Sequence, residues 1–134
     1  MASLEKRIER LEEAAGVAIA SIFCGRSRKH PRLLGLVDLL NKHTPMWGKG
    51  QGPVYWYFGT YAMFQFGGRN WRKWNKALMT ALSEHQDEEG CDTGSWKPVG
   101  PRAKMLGRIG CTALNTLAAE IYHRFARARW LDDE

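Results

Sequence analysis

The run from Val54 to Phe66 constrains the chain most, because it is apolar almost all the way round. Tyr55, Trp56, Tyr57, Phe58, Tyr61, Met63, Phe64 and Phe66 leave no polar face at either a two-residue or a 3.6-residue period. The run does not alternate and is too long for an ordinary strand, so it reads as a helix that must be covered on several sides. Gly67-Gly68 stops it, and Gly48-Lys49-Gly50-Gln51-Gly52-Pro53 leads into it as a connecting loop.

The segments around it are helical and less symmetric. Ser3 is an N-cap for a first helix, whose apolar positions Leu4, Ile8, Leu11, Ala15, Ala18 and Ile22 step by four and three. Residues 1–14 of this stretch are polar on most sides. They read either as a seam that pairs with another chain or as an ordinary amphipathic helix of the domain itself. Cys24-Gly25-Arg26 ends the helix, with Gly25 as the left-handed residue beyond the cap. Pro31 suits the first turn of a second helix, which carries Leu33, Leu34, Leu36, Val37, Leu39 and Leu40 and runs to about His43. After the aromatic helix, Asn70 is expected to cap a fourth, with Trp71, Trp74, Leu78, Met79 and Leu82 at helical spacing. A Gly-, Pro- and Asp-rich connection from His85 to about Leu106 precedes a last helix, expected from about Arg108 to Arg127. Its apolar face is Ile109, Ala113, Leu114, Leu117, Ala118, Ile121, Tyr122 and Phe125.

These elements repeat. Ile22-Phe23-Cys24-Gly25-Arg26 and Phe64-Gln65-Phe66-Gly67-Gly68-Arg69 each place a helix, a glycine stop and a basic residue before a second helix, at an offset of about 43 residues. That is the period of stacked helical hairpins, in which each unit leaves its inner face open until a neighbour covers it. The expected organisation is one hairpin-repeat domain over residues 15–129, preceded by the polar extension at 1–14 and followed by a tail at 130–134.

Composition narrows the function classes. The 134 residues fit one domain large enough to hold a core without metal or disulfides. The three cysteines, Cys24, Cys91 and Cys111, are widely spaced, which argues against a disulfide framework and a cysteine-rich zinc site. No apolar stretch is long enough to span a membrane, the first residues are charged, and a cytoplasmic location is expected. The net charge of +6 is compatible with nucleic acid or an anionic membrane surface. Its basic residues fall in short clusters such as Arg26-Ser27-Arg28-Lys29, however, and solvated helix faces and C-termini account for them, so nucleic acid is the less favoured partner. Gly48-Lys49-Gly50-Gln51-Gly52 lacks the preceding strand and the Gly-Lys-Ser/Thr of a phosphate loop. His30, His43, His85 and His123 pair with no nucleophile in a known pattern, and no catalytic residue, cofactor or metal is assigned.

One stretch is more specific. Leu82, Gln86 and Gly94-Ser95-Trp96 resemble the QW motif of the terpenoid cyclases, in which a Gln at a helix end stacks on a Trp of the following turn and ties hairpins together. With Tyr55 to Phe64, Gly67-Gly68, Trp71, Trp74-Asn75, Thr112-Ala113-Leu114 and Tyr122 to Phe125, the resemblance extends to the prenyltransferase and squalene-oxidase repeat proteins over roughly residues 15–127. It implies an all-α fold, an α/α-toroid-like stack of antiparallel hairpins with about five helices. The first, third and last would be inner and the second and fourth outer. The chain departs from the catalytic members in lacking an Asp-x-Asp-Asp run inside a helix. Asp87, Cys91, Asp92 and His123 match no zinc pattern residue by residue. A closed toroid also takes more hairpins than the two to three read here, so the toroid is incomplete.

The resulting expectation is a non-catalytic interaction domain that self-associates, or meets a partner protein, through an aromatic inner face. Trp56, Tyr57, Tyr61, Phe64 and Trp74 would carry that face, and Gln86, Gly94 and Trp96 would be its structural staples. Two alternatives stand beside it: an isoprenoid-like apolar ligand held by the same aromatic residues, and a basic nucleic-acid or membrane-surface module.

Overall fold

A computed structural model describes residues 3–124. The fold is all-helical, with six helices and no strand among the described residues: α1 (Leu4–Phe23), α2 (Pro31–Lys42), α3 (Pro53–Phe66), α4 (Gly68–His85), α5 (Ala103–Ala119) and α6 (Ile121–Arg124). A single 3₁₀ turn, Gly90–Asp92, lies between α4 and α5. No helix is long and apolar enough to cross a membrane among the described residues. The tail at 130–134, Phe125 and the expected helix end at Arg127 lie outside the described residues.

Local chemistry sets the ends of α1 and α2. The Ser3 hydroxyl accepts the Lys6 backbone N–H, which satisfies one of the donors a helix start leaves open. At the other end Gly25 has φ +82. The Arg26 N–H donates to Ser21 O and the Gly25 N–H to Ile22 O, which together close a Schellman turn. Pro31 occupies the first turn of α2, and the His30 ring Nδ1 accepts the Arg32 N–H.

The α3–α4 corner differs from the expectation. Gly67, at φ +76, is at once the last cap of α3 and the first of α4, so the chain reverses through one residue. Asn70 therefore sits inside α4 instead of capping it, and its side-chain oxygen accepts from the Asn41 amide of α2. The last helix departs as well. It begins at Ala103, is kinked at Gly107 (φ +61, ψ −173) and breaks before Ile121.

The helices pack in two layers. α3 lies between α1 and α5 in one layer, while α2 and α4 form the second, α2 against α1 and α4 against α3. Two consecutive hairpins stacked side by side give this layering. The heptad positions Ile8, Leu11, Ala15, Ala18 and Ile22 are buried inside this chain, so the seam of α1 serves its own core; only Leu4 of the set is exposed. α2 buries a narrower stripe than its leucine count suggests: Leu33, Val37 and Leu40 are inside, and Leu34 and Leu39 are exposed. Met79 of α4 is likewise exposed.

The tightest contact joins α3 to α4 at Gly59. A Cβ there would stand 2.4 Å from Cζ2 and 2.5 Å from Cη2 of Trp74, so the indole lies directly on the backbone of α3. Ala in place of Gly inside a helix gains about 1 kcal/mol from propensity alone. Overpacking a filled core costs about 1–3 kcal/mol or more. Gly16 of α1 and Gly35 of α2 have open space where a Cβ would go. Gly16→Ala and Gly35→Ala are therefore expected to raise stability by about 0.5–1 kcal/mol, and Gly59→Ala to lower it by about 1–3 kcal/mol, in urea unfolding followed by circular dichroism.

Candidate functional site

The aromatic residues expected to form an open face are mostly in the core. Trp56 and Trp74 have no exposed surface and Phe64 is buried. The reason is that α1, α4 and α5 of the same chain cover α3 on three sides. Each buried polar edge has found a partner. Trp74 Nε1 donates to Thr60 Oγ1 at 2.9 Å, and Trp56 Nε1 to Gln51 Oε1 at 2.8 Å. The Tyr55 hydroxyl donates to His43 O at 2.6 Å, and burial pushes that phenol well above its usual pKa. Edge-on ring contacts complete the packing, Tyr55 against Trp74 and Phe64 against Trp71. Of the five residues, Tyr57 and Tyr61 alone are half-exposed. Tyr61 meets exposed Phe23 of α1 edge-on at 5.5 Å between ring centres.

Gln51 was not legible as anything but part of a glycine-rich connector. It is buried, and its side-chain oxygen accepts from both Trp56 Nε1 and the Met46 N–H, while its amide donates to Thr44 O. Those bonds fold the loop between α2 and α3 back on itself. A second close approach fixes the same loop: a Cβ on Gly52 would stand 2.8 Å from Val99 O, and one on Gly100 (φ +88) 2.6 Å from the Gly52 Cα.

The segment after α4 is tied down by Gln86, Gly94 and Trp96 through hydrogen bonds to the backbone. Gln86 Nε2 donates to Gly94 O at 2.8 Å. Trp96, itself buried, donates from Nε1 to Leu82 O at 2.8 Å and from its backbone N–H to Thr112 Oγ1 of α5. The Asp87 N–H bonds Ser95 O and the Gly94 N–H bonds Asp87 O, closing the loop between them. Arg108 of α5 reaches into that loop and donates to Asp87 Oδ2 (2.5 Å) and Ser95 Oγ (2.8 Å), with Asp92 3.7 Å away. Asp87 and Asp92 are thus engaged by a guanidinium, and Cys91 between them is exposed. Among the described residues no three His, Cys, Asp or Glu side chains converge as metal ligands.

α5 is turned unexpectedly. Its buried positions are Cys111, Asn115 and Ala118, whereas Ile109 is 88% exposed and Met105 74%. Asn115 has no exposed surface, and neither its amide nitrogen nor its carbonyl oxygen has a hydrogen-bond partner among the described residues. Ile109, Thr112 and Ala113 line one wall of a groove of about 400 Å³, whose other wall is the loop at Cys91, Asp92 and Thr93. A further cleft, of about 560 Å³, lies between the start of α1, the end of α2 and the following loop.

Two outcomes follow from this geometry. Gln51→Met removes the acceptor for a buried indole N–H and a half-buried backbone N–H, and is expected to cost about 2–4 kcal/mol in chemical unfolding. Cys24 and Cys91 are exposed, whereas Cys111 is buried and its pKa is raised by that burial against a smaller opposing pull from the Val99 backbone. Titration with an aromatic disulfide reagent at neutral pH is expected to show two fast thiols and a third that reacts only as the chain unfolds.

No family model, curated protein or solved structure matches this chain. The resemblance to the prenyltransferase and squalene-oxidase repeat proteins therefore rests on the motif residues themselves.

Proposed function

We propose that this chain is a non-catalytic helical-repeat interaction domain that self-associates through the outer face of α5, next to where a further hairpin of the stack would lie. The observation that carries the reading is Ile109, the most exposed large hydrophobic residue among those described, on a helix whose buried positions are a Cys, an Asn and an Ala. A helix ordinarily turns its large apolar side chains to the core and its amides to water. α5 does the reverse at these positions. In a hairpin stack each inner helix packs on two neighbours, as α3 does, and α5 has α3 on one side. An isologous contact between two copies would place Ile109 and Ala113 against their symmetry mates and cover both grooves beside the Cys91 loop. The interface thus moves from the aromatic residues of α3 to α5, because the former are already packed within one chain.

The alternative reading, an isoprenoid-like ligand held by Trp56, Tyr57, Tyr61, Phe64 and Trp74, draws no support from the buried Trp56, Phe64 and Trp74 and would rest on the half-exposed Tyr57 and Tyr61. Light scattering at several protein concentrations tests the proposal. A dimer or larger closed assembly is expected at micromolar concentration. Ile109→Glu should return it to monomer with little loss of stability, because the side chain is already solvent-facing. A monomer at every concentration, or an assembly that Ile109→Glu leaves intact, would overturn it.

A further inference from the structure

The cleft between α1 and α2 combines two kinds of wall. Leu4, Leu39 and Met46 are exposed apolar side chains on it, with Ile8 and Leu11 at its base. Arg7 and Arg10 of α1, Lys42 at the end of α2 and Lys49 in the loop rim it, and no carboxylate lines it. Lys42 shares its charge with Asp38 at 3.0 Å; the other three cations have no ion-pair partner among the described residues.

Helix ends reinforce the sign of this site. The first two turns of α1 line the cleft along their flank, close to the positive end of its dipole. The negative end of α2 lies here too, but several carbonyls at and just beyond it are taken. Leu40 O accepts the His43 N–H, Asn41 O the Lys73 ammonium, His43 O the Tyr55 hydroxyl, and Thr44 O the Gln51 amide. The cations at the rim are therefore left to pair with something outside the fold. The volume, about 560 Å³, lies within the range of small-molecule sites.

The geometry points to a binding site for a single-chain anionic amphiphile, one alkyl-type chain carrying a phosphate or carboxylate head. A free anion would satisfy Arg7, Arg10 and Lys49 but leave Leu4, Leu39 and Met46 in water. A neutral apolar molecule would cover those three and leave the cations unpaired. A ligand with both parts satisfies both walls. This site is independent of α5 and of the self-association proposed above.

Isothermal titration with dodecyl phosphate below its micelle concentration tests the assignment, with dodecyl maltoside and inorganic phosphate as the chain-only and head-only probes. One-to-one binding of dodecyl phosphate is expected, at least about tenfold tighter than either control and weakening as salt is raised. Arg7→Gln combined with Lys49→Gln removes two exposed cations, and Met46→Gln removes part of the apolar wall. Each is expected to weaken binding about tenfold, with the melting temperature unchanged. Equal affinity for the maltoside, or an affinity that neither variant moves, would overturn the proposal. So would binding to vesicles containing anionic lipid with no uptake of the monomeric amphiphile, since that outcome describes a membrane-surface patch instead of a ligand cleft.

Discussion

Everything in this fold depends on α3 being enclosed. A helix with Trp, Tyr and Phe on most sides must be covered by its neighbours over most of its surface, and each indole or phenol that goes inside must bring an acceptor along. Thr60 takes the Trp74 N–H from within α3 itself, Gln51 takes the Trp56 N–H from the loop, and the end of α2 takes the Tyr55 hydroxyl. Each such bond is worth only about 1 kcal/mol net. Leaving one unmade in the core costs more than that, so the bonds act as conditions on the loop and on α2. Gly59 is the steric counterpart, since the Trp74 ring can lie on α3 only where no Cβ intervenes.

That enclosure also explains what was legible in the sequence. The helices, the Ser3 cap, the left-handed Gly25 and Pro31 in the first turn of α2 all rest on local signals, and local signals survive folding. Gln51 and Asn70 illustrate the other case. Their partners, Trp56 and Met46 for one and Asn41 for the other, are chosen by tertiary approach. Nothing in a run of glycines, or in an Asn after a Gly-Gly stop, announces such a partner. Gly67 misled for a related reason. Two glycines with an Asn beyond read as a stop followed by a cap, whereas a single residue at φ +76 performs both tasks.

The burial of the aromatic residues was illegible for the same reason. Apolar character says that Trp56, Phe64 and Trp74 want cover, but not whether the cover comes from this chain or another. Here α1, α4 and α5 supply it for α3. The helical period of the last segment placed Ile109 and Ala113 on the core face, whereas α5 buries Cys111, Asn115 and Ala118, and only Ala118 of the expected set is buried within α5. Ile109, expected on the core face, is exposed, and so is Met105, which falls in what was read as the connection and lies in α5.

Asn115 shows what that orientation of α5 costs among the described residues. An amide enclosed with both polar atoms unpaired costs about 1–3 kcal/mol, and an exposed Ile forgoes about 1.5–3 kcal/mol that its burial would contribute. The two penalties have one origin, namely that α5 shows α3 its small side, Cys111, Asn115 and Ala118. Small side chains let two helix backbones approach closely, and α3, with its bulky rings, needs such a neighbour if both are to fit in one layer. The large residues of α5 are thereby pushed to the opposite face. A helix placed between two neighbours would have both faces used, as α3 does. In α5 the face bearing Ile109 is exposed, and it is this face that the self-association proposed above would cover.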